Sequence, residues 1–162
     1  MSLKYIANYL EKEGFKCKAE RKSKNISSLE FYVDKDNFFN LIDIDLPPDE
    51  LEEINVGEPI GIYLVYFHKD KNRIALYIPD FFVTENTFEK KKALNLIVKT
   101  DIFGIKFTIK KERKNKYNIG ACKELLLPSN KLITKVFKRA TFELIGACLY
   151  FIERLEETEW PF

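Results

Sequence analysis

Histidine is nearly missing from this chain: His68 is the only one among 162 residues, beside three cysteines, one Trp, one Met and six glycines. A zinc site built on His and Cys is therefore improbable, because Cys17, Cys122 and Cys148 show no CxxC spacing. Three thiols cannot all pair within one chain, and reduced thiols in a cytoplasm are the economical reading. No P-loop, no GxGxxG and no GxSxG elbow occurs, so the common phosphate-binding loops and nucleophile turns are absent. The longest apolar run, Phe142–Ile152, is about half of what a bilayer crossing needs and is interrupted by Glu143. Nothing in the sequence reads as a leader, since Leu3, Ile6, Ala7 and Leu10 form an amphipathic stripe at once. The expectation is a cytoplasmic protein with no membrane partner.

What is abundant is apolar and charged material, at 46% and 32%, with 14 Phe and 8 Tyr. That mixture builds a globular core without disulfides. The length suits one domain over residues 1–162. Net charge is only +2, but residues 1–80 carry 11 basic against 15 acidic side chains, a net of −4, and residues 81–162 carry 16 against 10, a net of +6.

Periodicity gives the elements. The first stripe is a short helix that Ser2 can cap, stopped by Gly14 and Phe15. Period two follows over Phe15, Cys17 and Ala19, then a polar loop at 21–28. Leu29, Phe31 and Val33 make a strand, and Asp34–Asn37 a turn. Residues 38–46 read as another strand, ended by Pro47 and Pro48, which with the acids after them open a short helix. Residues 60–67 are apolar on both faces, the pattern of a central strand, and turn back into 73–78, closed by Pro79. Residues 87–99 predict a helix with Phe88, Leu94, Ile97 and Val98 inward. Ile105, Phe107 and Ile109 predict a strand, 114–116 a turn, 117–127 a returning strand, and 130–157 a long last helix. The order predicts an α+β fold: an antiparallel sheet of about seven strands carrying an N-terminal, a middle and a long C-terminal helix.

Candidate chemistry is sparse. His68 at a strand end would need a nucleophile and an orienting carboxylate to act as a base, and Cys17 and Cys148 read as small core residues. Asp43 and Asp45, two apart on a strand, share a face at a range where two carboxylates could hold Mg²⁺, but no further ligand is placed beside them. No enzyme, cofactor or metal is expected.

Binding surfaces are easier to find. On the last helix, Ile133, Phe137, Ala140, Leu144, Ala147, Phe151 and Leu155 form one stripe, and Phe142, Ile145, Leu149 and Ile152 a second. A helix on one sheet needs only one stripe, so the second is expected either inside a wrapped helix or in a partner interface. Gly146 and Ala147 would let another backbone approach closely. Lys90, Lys91, Lys92, Lys99, Lys106, Lys110, Lys111, Arg113, Lys114 and Lys116 face only Asp101 and Glu112 in their window. Phosphates are attracted to such a cluster, although a solvated lysine face is the plainer reading. Asp43, Asp45, Asp49, Glu50, Glu52 and Glu53 form an acidic surface that an antagonist of a toxin or nuclease would use to mimic nucleic-acid charge.

Three stretches resemble a known family. Residues 3–15 (Leu-Lys-Tyr-Ile-Ala-Asn-Tyr-Leu-Glu-Lys-Glu-Gly-Phe) look like the opening helix and Gly-aromatic stop of YbjN-like proteins and the type III secretion chaperone-like fold. Residues 92–97 (Lys-Ala-Leu-Asn-Leu-Ile) look like their middle helix, and Leu127 to Leu155 like their long last helix. The resemblance implies a non-enzymatic homodimer that binds segments of another protein. Nucleic-acid binding through residues 90–116 is the competing expectation.

Overall fold

The computed structural model describes residues 3–18, 21–41, 58–70, 72–127 and 134–157. Its elements are α1 (Leu3–Lys12), β1 (Lys16–Cys17), β2 (Arg21–Lys22), β3 (Ile26–Val33), a 3-10 turn (Phe38–Leu41), β4 (Ile60–Phe67), β5 (Arg73–Thr84), α2 (Thr87–Lys99), β6 (Lys106–Arg113), β7 (Lys116–Leu126) and α3 (Thr134–Glu157). This is an α+β fold with an antiparallel sheet in the order β1-β3-β4-β5-β7-β6, β2 pairing with β3 off that path. Two compact units partition it: Met1–Leu76 with Glu124–Phe142, and Tyr77–Lys123 with Glu143–Phe162.

In the first unit, α1 buries Ile6 and Leu10. It ends because Gly14 adopts φ +92°, which lets Phe15 N–H reach the Leu10 carbonyl at 2.9 Å and Gly14 N–H reach Glu11 at 3.0 Å. Phe15 is thereby delivered to an aromatic cluster: it meets Phe31 edge-on at 5.9 Å, and Phe137 lies 5.7 Å from Phe31 and 5.8 Å from Tyr9. β3 pairs with β4 along its full length, Ile26 opposite Phe67 and Val33 opposite Ile60. Alternation puts Leu29, Phe31 and Val33, with Ile62 and Leu64, on the buried face. On the other face of β4, Tyr63, Val65 and Phe67 are only half-buried, so the second face of this strand is covered in part. The turn after β3 is fixed by Asp34 Oδ1, which accepts from the N–H groups of Asp36 and Asn37 at 2.9 Å each.

Three expectations are corrected here. The polar stretch 21–28 is not all loop, because β2 and the start of β3 lie in it: two-residue pairing of Arg21 with Ser28 and Lys22 with Ser27 satisfies backbone groups without any apolar signal. Phe38–Leu41 is a 3-10 turn rather than a strand: it buries Phe38 and Leu41, three apart, on one side. β5 does not stop at Pro79 but continues to Thr84. Proline's fixed φ is compatible with extended backbone. Across from it Gly120 allows close approach, since a Cβ there would lie 2.7 Å from the Pro79 carbonyl oxygen. The expected short helix after Pro47 and Pro48 lies outside the described residues.

In the second unit, Asn86 caps α2 by accepting from Phe88 N–H at 2.8 Å, and Glu89 in the first turn takes the Thr84 hydroxyl at 2.6 Å. β6 and β7 form a hairpin whose turn residue Asn115 takes φ +66°. Phe107 stacks on Phe151 of α3 at 4.8 Å, and Phe81 meets Phe151 edge-on at 5.7 Å. The main stripe of α3 is buried from Phe137 through Ala140, Leu144, Ala147 and Phe151 to Leu155. On α2 the inward residues are Ala93 and Leu96, with Ile97 half-buried, whereas Phe88, Leu94 and Val98 point outward; this corrects the expected face. A small residue at 93 lets the helix lie close to its support, so bulk is not what marks its inner side.

Candidate functional site

The second apolar row of α3 is split by burial. Ile145 is 1% exposed and belongs to the core, so it cannot take part in docking a partner as the helix stands. Phe142 and Leu149 are 36% and 40% exposed, Ile152 is half-buried, and Tyr150 beside them is exposed. Phe142 stacks on Phe38 at 5.8 Å, which covers one side of its ring. Gly146 follows Phe142 by one turn and precedes Leu149 by three residues, on the same outward side of the helix. A Cβ built at Gly146 meets nothing within 4 Å. The fold therefore does not require glycine there, although glycine in a helix interior costs about 1 kcal/mol relative to alanine. Glu143 in the preceding turn is held by Lys123 at 3.1 Å, both side chains mostly buried, which fixes the rotation of this part of α3 on β7.

The lysine-rich window is not one patch. β6 stands at the end of the sheet order, and its pairing puts Lys106 opposite Cys122 and Lys110 opposite Asn118 on one face, while Phe107 and Ile109 take the other. Lysines on an edge strand blunt edge-to-edge pairing, which is reason enough for them. Lys90 lies over the Tyr117 ring at 4.1 Å. Its hydrogen bond to the phenol, with a lesser contribution from the charge of Lys111, lowers the Tyr117 pKa. Arg113 pairs with Glu85 at 3.0 Å and Lys116 with Glu112 at 3.1 Å. Glu112 is held below its usual range by the hydrogen bond from Asn118 first and by Lys116 next. Lys91, Lys110, Lys111 and Lys114 are exposed. Tyr117 is thus already occupied by a lysine, whereas Phe103 in the same window is exposed.

One constellation could not be read from spacing. Ser27 Oγ lies 2.7 Å from His68 Nε2, and His68 Nδ1 lies 3.2 Å from the Lys24 carbonyl. A carbonyl only accepts, so Nδ1 carries the proton and Nε2 accepts from the serine hydroxyl. Such a pair has the form of an activated nucleophile. Ser27 is nonetheless buried near the start of β3, opposite Tyr66. His68 N–H also donates to Asn25 at 3.0 Å. Together the bonds to residues 24, 25 and 27 clasp the start of β3 to the end of β4, a structural task. No signal could reveal a pair 41 residues apart.

Two of the three thiols, Cys17 and Cys148, are held toward their protonated form. Burial, with the nearby Glu11 charge, pushes Cys17 up to about 11, and burial pushes Cys148 up to about 12. Among the described residues, no group of three or more His, Cys, Asp or Glu side chains could hold a metal ion. No helix there is long and apolar enough to cross a membrane. The acidic candidates Asp43, Asp45, Asp49, Glu50, Glu52 and Glu53 lie outside the described residues. The chain matches no protein-family model, no curated protein and no solved structure.

Proposed function

We propose that this chain is a non-enzymatic protein-binding module, a chaperone-like adaptor or regulator, which pairs with a second copy of itself through the outward side of α3. The observation that carries the reading is Gly146, a helix-interior glycine with open space where a side chain would sit, flanked on the same side by Phe142 and Leu149. A weakened helix position with no packing use among the described residues is accounted for by close approach of another backbone. Phe142, Leu149 and Tyr150 supply the apolar area around it, and two-fold self-pairing is the commonest way to cover such a face. Ile152 sits at its half-buried margin.

Sedimentation velocity over a concentration series tests this. The wild type should show a dimer, weakened on the order of tenfold or more by Leu149→Asp and by Gly146→Leu. Gly146→Ala should raise the stability of the isolated fold by about 1 kcal/mol. A wild type that stays monomeric throughout, and captures no stoichiometric protein that Leu149→Asp loses, ends the reading.

A second reading, nucleic-acid binding along β6, is supported by the exposed Lys106, Lys110, Lys111 and Lys114. It predicts affinity for single-stranded oligonucleotides that collapses as salt rises.

A further inference from the structure

Outward apolar side chains gather at the C-terminal end of α2. Leu94 and Val98, one turn apart on the same side of the helix, are 39% and 86% exposed. Phe103, five residues further on, is 57% exposed. Its backbone is at φ +52° and the next residue, Gly104, is at φ +67°, while Ile105 N–H closes the turn onto Ile102 at 2.8 Å. Two successive positive φ values across a four-residue turn are the type I′ pattern, whose first central position belongs to Asn, Asp or Gly. A bulky aromatic there is strained. The strain gains the fold no burial, because the ring is mostly in solvent. Lys123 Nζ donates to the Phe103 carbonyl and so braces the turn. An expensive conformation that holds an aromatic ring out into water points to a task outside the chain.

The surroundings say which. Lys91 shares the side of the helix with Leu94 and Val98. Lys99 ends the helix and Lys106 opens β6; all three are exposed, against Asp101 alone in the connecting segment. The apolar groups stand on the second half of α2 and on the turn that follows it. Exposed apolar side chains with exposed lysines beside them in sequence need no shape-matched pocket. They suit a deformable surface with an apolar interior and negative headgroups. We propose that Leu94, Val98 and Phe103 insert into the interface of an anionic lipid bilayer, with Lys91, Lys99 and Lys106 on its headgroups. This is peripheral docking, compatible with the absence of a spanning segment among the described residues. It is independent of the α3 surface.

The test is co-sedimentation of the full chain with vesicles of phosphatidylcholine alone and of phosphatidylcholine mixed with phosphatidylserine. Binding should be confined to the mixed vesicles and should weaken as salt rises. Phe103→Asn replaces the strained residue with one the turn prefers, so it should fold at least as stably and yet bind on the order of tenfold more weakly. Val98→Asp should lose as much with an unchanged circular dichroism spectrum, and Leu126→Asp, at an exposed apolar position at the end of β7, should lose nothing. The proposal is overturned by a chain that stays with the supernatant at low salt, or by binding indifferent to Phe103→Asn and Val98→Asp, which would be charge attraction alone. It is equally overturned if this face pairs two copies, seen as a dimer that Val98→Asp dissociates without any vesicle binding.

Discussion

On α3, Phe137, Ala140, Leu144, Ala147, Phe151 and Leu155 all face the interior, one after another at helical spacing. On α2, the interior receives Ala93 and Leu96, and the larger Phe88 and Val98 are left in water. The two helices follow the same propensity rules and differ in what they lie against. α3 runs 24 residues and meets ring after ring, Phe31 at one end and Phe81 and Phe107 further along. With 13 residues, α2 is tied through its caps, and Lys92 donates to the Leu155 carbonyl at 3.2 Å. A helix held by its ends and by a small inward residue can spend its large apolar side chains elsewhere. Apolar bulk therefore marks the core on one helix and an outward face on the other.

The contrast can be broken most forcefully at Phe137. Its full burial between Tyr9 and Phe31 means that Phe137→Ala should cost about 3–5 kcal/mol, read as a shift in the urea midpoint. The α2 surfaces give an intermediate effect with opposite expectations for neighbouring positions. Ala93→Leu overfills the contact under the helix and should cost about 1–3 kcal/mol, whereas Val98→Ala should change stability by less than about 0.5 kcal/mol. Equal costs at 93 and 98 would refute the assignment of faces. The smallest effect is kinetic. Thiolates react and thiols do not, so a raised pKa keeps Cys148 and Cys17 protonated up to about 12 and about 11 respectively. Near neutral pH both should label slowly with a thiol reagent, Cys148 slower because it is buried, and denaturant should release both. Rapid labelling of Cys148 in the native chain would mean that α3 opens locally.

Hairpin 106–126 was legible because its determinants are local: alternating apolar residues on each side of a turn whose Asn115 tolerates positive φ. The first helix and its stop at Gly14 were legible for the same reason, as was the buried stripe of α3. Pro79 misled, because proline's fixed φ suits extended backbone and does not by itself end a strand, and β5 runs on to Thr84. The candidate surfaces were legible only as composition. The second row of α3 contained both the exposed Leu149 and the buried Ile145, which are equally apolar and only four residues apart. The lysines of 90–116 looked like one cluster, yet Glu85 and Glu112 engage two of the cations and Tyr117 a third.

By itself the sequence determined the α+β class, the antiparallel hairpins, the stop of α1, the bounds of α2 and the main apolar stripe, since each follows from propensity, capping and period within a dozen residues. Tertiary structure alone decided which apolar side chains stay outside, that Gly146 faces open space, that Phe103 is held outward on a strained turn, and that His68 is consumed by Ser27 and Lys24. Those outcomes depend on which elements meet, and contacts between residues distant in sequence leave no periodic trace along the chain.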